Sequence, residues 1–330
     1  MFRSISTKKM ARVVVASILF SITTPFCEAE PTFGKWMSLS PMPTKRSEIS
    51  AAFSNGRIYV PGGVSINGSL DVFEGYEIAT NRWVTLAQLP TPLNHVGVSA
   101  YQGKVYISGG FEDLRQKKTS SVMHVYDIES DSFVDTIKMP GPRAKHSMIE
   151  RDGWLHLIGG LDHRETWSLH LATLRWSSDR LPALPKERDH LSVLADSVAF
   201  YLVGGRKDEE GEDSVCLRYR FSQRESKWEK LSRIPTPTGG QMAALVNGRI
   251  HIVSGEDLQT KEVFSQHEVF DLVSGRWSNS EPLPVSRHGA ASIYVNGVWY
   301  VIGGGLRSHI ATIFSTTSVV NGGTFISGSQ

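Results

Sequence analysis

The side chains in this sequence best suited to chemistry recur at one register. Sixteen residues before each of six glycine-containing pairs stand Arg46, Leu93, Arg143, Arg188, Thr238 and Arg287. Histidines follow within three residues, at His95, His146, His190 and His288. Four guanidinium groups on one face would make a cationic ring, whose planar forks bind carboxylate or phosphate bidentately. Arg46, Arg143, Arg188, Arg287, His95, His146, His190 and His288 are therefore the candidate binding residues. The same arginines could instead satisfy backbone carbonyls or neighbouring carboxylates. The histidines fall at varying offsets with no compact metal-ligand spacing, so no metal is expected. No glycine-rich phosphate loop, Gly-x-Ser-x-Gly elbow or His-Glu-x-x-His motif is present, and no cofactor is implied.

The elements that must position these residues are legible from the pairs themselves. Gly62-Gly63, Gly109-Gly110, Gly159-Gly160, Gly204-Gly205, Ser254-Gly255 and Gly303-Gly304 return at intervals of 45 to 50 residues. A unit of that size cannot bury its own core, so neighbours must pack on one another. Each pair ends an apolar strand such as residues 104–108 or 298–302, preceded by a small-residue strand. The two are joined by Asn55-Gly56, Gln102-Gly103, Asp152-Gly153, Asn247-Gly248 and Asn296-Gly297, pairs that tolerate positive φ and make tight hairpins. The fourth unit has Asp196-Ser197, a weaker turn.

A third strand follows, carrying Tyr76, Tyr126, Leu169, Phe221 or Phe270. Seven residues later comes the aromatic of a fourth strand: Trp83, Phe133, Trp176, Trp228 or Trp277. Large rings at constant register read as packing between units. The sixth unit, residues 286–320, runs out before such a tryptophan, whereas Trp36 stands alone before the first unit. The segment around Trp36 is therefore expected to supply the missing strand and remove the exposed edges.

The paired glycines, Tyr126-Asp127 and Phe270-Asp271, the spaced tryptophan and the Pro-x-x-Arg turn together resemble the kelch repeat. The resemblance covers residues 34–320 and implies an all-β, six-bladed kelch-type β-propeller of the galactose oxidase-like superfamily, with the last blade closed by the N-terminal strand. Residues 321–330 read as a loose tail.

Arg3, Lys8, Lys9 and Arg12, an uncharged run from Val13 to Phe26 and then Cys27-Glu28-Ala29 describe a signal peptide cut after Ala29. The run is short for a membrane span. Export to the periplasm or exterior is expected, with no stable membrane insertion after cleavage. Removing residues 1–29 takes away four basic residues and one acidic one, turning a formal +2 into −1. A near-neutral domain argues against bulk nucleic-acid binding. Only Cys216 remains after cleavage, so no intramolecular disulfide is expected.

The loops after the glycine pairs differ between units and carry mixed charge, including the acidic run Asp208 to Asp213. Such a face suits recognition of a protein, peptide or glycan, anionic ligands included, by a monomer. The alternative is an enzyme. The stretch from Val253 to Glu256 looks like the glutamate-bearing fifth-blade turn of the exported N-acetylneuraminate epimerases. That resemblance implies Glu256 as acid/base group and Arg287 or Arg188 as the partner of the sugar carboxylate. The basic residue expected shortly after the glutamate is replaced by Glu262, with Lys261 one residue earlier. A galactose-oxidase-like copper centre is disfavoured, because Cys216 lies in a predicted core strand.

Overall fold

The computed structural model describes Met1 and residues 34–207, 215–222, 227–307, 310–313 and 317–321. The leader and most of the tail lie outside the described residues, as does the acidic run Asp208 to Asp213. The chain divides into two units, Met1–Thr32 and Phe33–Gln330, and all that follows concerns the second.

Among the described residues the secondary structure is all β, without a helix. Six four-stranded antiparallel sheets form among these described residues. In sheet order they are Ala52–Ser54, Arg57–Pro61, Phe73–Glu77 and Arg82–Thr85; then Gly97–Tyr101, Lys104–Ser108, Val122–Asp127 and Ser132–Lys138; then Ser147–Arg151, Trp154–Ile158, Trp167–His170 and Arg175–Ser177. The next two are Ser192–Ala195, Ala199–Val203, Val215–Arg220 and Glu229–Arg233, and Met242–Val246, Arg249–Val253, His267–Asp271 and Trp277–Asn279. The last is Ala291–Val295, Val298–Ile302, Thr317–Asn321 and, from the other end of the chain, Met37–Leu39. Met37 pairs with Val319 and Leu39 with Thr317. The first-named strand of each sheet touches that of the next, and Ala291–Val295 touches Ala52–Ser54. The fold is a β-propeller, with these small-residue strands innermost.

Its core is divided among the seams between sheets. Tyr59, Phe73, Val105 and Tyr126 fill the first seam; Ile58, Tyr76, Tyr300 and Ile302 fill the one between the last sheet and the first. Each sheet is apolar on both faces because it packs on a neighbour either way, which explains the unbroken apolar strands before the glycine pairs. The fourth-strand tryptophans fasten the seams. Trp83, Trp176 and Trp228 donate their indole N–H to the carbonyl oxygens of Ser40, Lys138 and Pro182, at 2.9, 2.9 and 3.1 Å. Trp36 does the same to Glu281, at 3.1 Å, and packs at a tilt against Trp299, with ring centroids 5.5 Å apart.

The hairpin turns follow their sequence. Asn55 and Gly56 take φ of 49° and 77°, both positive as a type I′ turn requires. Asp196 instead accepts the backbone N–H groups of Val198 and Ala199 at 2.8 Å, so a carboxylate does the work of the missing glycine. In that same unit the expectation that the third strand carries Phe221 is corrected. Strand Val215–Arg220 ends before Phe221, and it is Tyr219 that packs on Trp228, at 5.7 Å. Phe221 packs on Phe200 instead, at 4.9 Å.

Candidate functional site

The four arginines do not converge on an open mouth. Arg46, Arg143, Arg188 and Arg287 are all at most 2% exposed. Arg46 donates to the Val60 carbonyl and pairs with the Glu74 carboxylate. Arg143 donates to the carbonyls of Leu157 and Glu165, at 2.8 and 2.7 Å, and stacks 3.8 Å over Trp167. Arg188 reaches the Gly204 and Val215 carbonyls, and Arg287 those of Gly303 and Val285. Burial pulls the Arg143 pKa down to about 9 and that of Arg287 to about 10, so both stay charged at neutral pH. The register that aligned them therefore marks a structural donor: a strand ending at a glycine pair leaves carbonyls that only a long side chain can reach.

This predicts a stability role. Truncating Arg143 to Ala strands the buried Leu157 carbonyl, at about 1–3 kcal/mol, frees the part-buried Glu165 carbonyl, and removes the stack on Trp167. A loss of about 3 kcal/mol or more is expected from urea unfolding. A loss below about 1 kcal/mol, the size expected at an exposed position, would return the residue to the binding list.

The site lies two residues further along. Glu48, His95, Lys145, His190, Gly240 and Gly289 occupy equivalent positions with φ of 53°, 55°, 59°, 50°, 64° and 58°. Their backbones form a collar. His95 N–H donates to Glu48 O, Lys145 to His95, His190 to Lys145, Gly240 to His190 and Gly289 to Gly240, all at 3.0–3.1 Å. Ile49 N–H closes the circle on Gly289 O at 3.2 Å. Left-handed backbone aims these side chains together, and the two glycines leave room for the rest. A Cβ on Gly289 would come within 2.6 Å of Glu48 Oε1.

Above the collar opens a cavity of about 680 Å³, whose walls include Ile66, Leu114, Arg206 and Glu256. Glu48 is its central group. His95 Nε2 lies 3.0 Å from Glu48 Oε2, His190 Nε2 3.6 Å from the same oxygen, and His288 Nδ1 3.3 Å from Oε1. Burial alone would raise the Glu48 pKa, but in acid the charge of a protonated His95, with hydrogen bonds from His190, His288 and His95 in that state, holds it well below the usual carboxylate range. His288 is raised: burial opposes its charge, yet Glu48 and Glu256 outweigh that. Glu256, 2% exposed, lies 3.1 Å from Arg206 Nη2 and 3.5 Å from His288 Nδ1, while its Oε2 has no hydrogen-bond partner.

Of the candidate residues, the structure thus brings together His95, His190, His288 and Glu256. His146 sits below the collar against Ser108 Oγ, at 2.7 Å. Burial, with the charges of Arg143 and His163, pushes its pKa well below the ordinary histidine value. Glu48, Asp189 and Arg206 were not candidates. Reading the repeat register at the second position after the arginines would have exposed Glu48, the one acidic residue in that column. No compact spacing in the sequence marks the next grouping. His95 and His190, far apart in sequence, join Glu48 as a group whose ligand atoms lie within 4.8 Å of one another.

No family model matches the chain. It is similar to the Kelch-like protein terF of Aspergillus terreus, 26% identical over 91% of this chain and 61% of that one. Beta-scruin of Limulus polyphemus is 27% identical over 61% of this chain and 23% of its own. Rat Kelch-like protein 41 is 32% identical over 36% of this chain and 20% of its own. The chain spans less than two thirds of each of these relatives. Among solved structures, that of YjhT superposes with a TM-score of 0.74 at 16% identity, over 84% of this chain and 95% of that one. Register, sheets and relatives agree: the chain is a kelch-repeat protein with a β-propeller fold.

Proposed function

We propose that this chain is an exported binding module, six blades closed into a ring by the strand beside Trp36, whose loop-face mouth takes a segment of a protein partner. Export rests on the order of basic, apolar and small residues before Glu30. The observation that carries the binding reading is the composition of the mouth. Ile66 and Leu114 stand 73% and 53% exposed on its rim, above a buried polar floor of Glu48, His95, His190 and Glu256. Large apolar side chains held in water beside a concave polar site are a recognition surface in need of a ligand. The charges on the floor largely face one another, as Arg206 with Glu256 and Asp189 shows, so apolar contact at the rim supplies the driving force.

The test is selection from a displayed peptide library on the wild-type propeller, followed by measurement on Ile66→Asp and Leu114→Asp variants. Selected peptides are expected to lose about tenfold or more in affinity on either variant, as removal of an apolar anchor does. Peptides that bind wild type and variants alike would sink the proposal, as would a selection in which only glycans compete.

A second reading, interconversion of acidic sugar anomers, is favoured by Glu256, which lines the cavity and whose buried Oε2 has no hydrogen-bond partner. In it Glu256 is the acid/base group and Arg206, rather than Arg188 or Arg287, meets the carboxylate. N-acetylneuraminate anomer exchange followed by NMR decides it: acceleration by wild type and not by Glu256→Gln supports the enzyme, and no acceleration removes it.

A further inference from the structure

Glu48, His95 and His190 surround one point at the floor of the mouth, and their hydrogen bonds leave that point short of positive charge. Asn94 donates its amide N–H to Ser69 Oγ at 2.7 Å and to the Phe111 carbonyl oxygen at 3.3 Å. A carbonyl only accepts, so the Asn94 amide nitrogen is fixed there and its oxygen is the atom that faces His95 Nδ1. His95 therefore carries its proton on Nδ1. The Asp189 carboxylate, 2.5 Å from His190 Nδ1, imposes the same tautomer on His190. Both Nε2 lone pairs then turn toward Glu48 Oε2, itself an acceptor, at 3.0 and 3.6 Å.

Three acceptors facing one another need a cation between them. One proton can bridge Glu48 to one imidazole, leaving the other lone pair opposed. Two imidazolium rings with centroids 5.1 Å apart would repel in a buried site. A metal ion serves all three at once. Donors held about 2.0–2.2 Å from a common ion stand roughly 3.0–3.5 Å apart, and the two separations about Glu48 fall close to that range. Asn94 and Asp189 are also the kind of outer partners that orient metal-bound histidines by accepting the distal N–H. The collar fixes all three backbones, and the absence of a Cβ at Gly289 gives the Glu48 carboxylate its place.

We propose that Glu48, His95 and His190 bind one first-row divalent transition ion, through the Glu48 carboxylate and the two Nε2 atoms, with an open coordination position toward the cavity. Two imidazoles and one carboxylate suit Zn²⁺, whereas Mg²⁺ and Ca²⁺ prefer oxygen donors throughout. The site goes beyond the peptide-binding reading and does not depend on it.

The experiment uses untagged protein stripped with chelator and Zn²⁺ alone as the probe, in competition with a chromophoric chelator and by thermal unfolding. Wild type is expected to take up one ion per chain and to rise in melting temperature with Zn²⁺. Glu48→Gln, which keeps the shape of the side chain, and His190→Ala are expected to weaken binding about tenfold or more and to lose the thermal shift. Their metal-free melting temperatures, compared with that of wild type, separate this loss from misfolding. Co²⁺ should give visible ligand-field bands in wild type and not in His95→Ala. Wild type that takes no Zn²⁺ from a chelator of micromolar affinity overturns the proposal. So does a thermal shift shared equally by wild type and all three variants.

Discussion

Gly109→Ala is expected to unfold the propeller, while Gly103→Ala six residues earlier is expected to cost only about 1–2 kcal/mol. Both glycines have positive φ, 61° and 75°. The backbone penalty is thus common to the two, about 1–2 kcal/mol. What differs is space. A Cβ at Gly103 meets nothing within 4 Å, whereas at Gly109 it would lie 1.9 Å from the Arg143 carbonyl oxygen. That oxygen is not free to retreat, because it accepts the Gly110 N–H at 2.9 Å and belongs to the residue that fastens the next sheet. Relief requires breaking the seam between the second and third sheets. A loss beyond about 4 kcal/mol is a large part of the 5–15 kcal/mol that holds a typical domain together. Urea midpoints for the two variants provide the check; a difference under about 1 kcal/mol between them would show that the glycine pair is chosen for φ alone.

The second large effect is loss of stability in mild acid. His156, His251 and His267 are buried in the seams, and burial lowers their pKa values to about 4, about 3 and about 4. His156 Nδ1 lies 2.8 Å from Ser168 Oγ. His267 donates from Nδ1 to the Glu281 carbonyl at 2.9 Å, and its Nε2 accepts from His251 Nδ1 at 3.0 Å. Both rings in that chain are neutral, beside Trp36 and Trp299. The unfolded chain binds protons at these residues near pH 6.5, the folded chain only near 3–4. Stability is therefore full above about 6.5, falls as pH drops below it, and stops falling on their account below the folded values. At pH 5 the loss is about 2 kcal/mol for each histidine, with His251 and His267 titrating as a pair. Carboxylates contribute later: Asp127 and Asp271, held at about 2 first by backbone N–H groups and then by Lys104 and Arg249, begin to count only below their ordinary value of 3.8. Urea unfolding at pH 7 and pH 5 measures the drop, and His156→Gln should reduce it by about 2 kcal/mol, leaving the share of His251 and His267. Equal midpoints at the two pH values would contradict neutral burial of these rings.

The repeat register was a good guide to sheets and a poor one to the direction of side chains. Glycine pairs, type I′ turns and spaced tryptophans act through local backbone geometry or one seam, so they recur and can be aligned. The arginines also recur, and for the same reason: they complete the seam. Binding residues in a ring need not recur. The collar column reads Glu48, His95, Lys145, His190, Gly240 and Gly289, with a single acidic member and no repeated signature. Asp189 and Arg206 come from neighbouring positions in one unit only, and just the fold shows that Arg206 stands between Asp189 and Glu256 as a partner of both. His95, His190 and His288 were legible as candidates because they cluster after the arginines, but Glu48, the group they surround, was hidden by being alone in its class.

The collar has a consequence for how such a protein changes over evolution. Its amides and carbonyls bond to one another round the circle, so the frame is indifferent to which side chains it displays. Occupants can be exchanged one at a time, provided each tolerates a left-handed backbone. Position 289 is closed to this by the Glu48 carboxylate. Position 240 is less closed: a Cβ there meets the Gly289 amide nitrogen at 3.3 Å and the His288 Cβ at 3.6 Å, so a side chain asks for a shift of a few tenths of an ångström and a left-handed backbone. New specificity in this mouth can be acquired at residue 240 without disturbing a ligand already held by the other side.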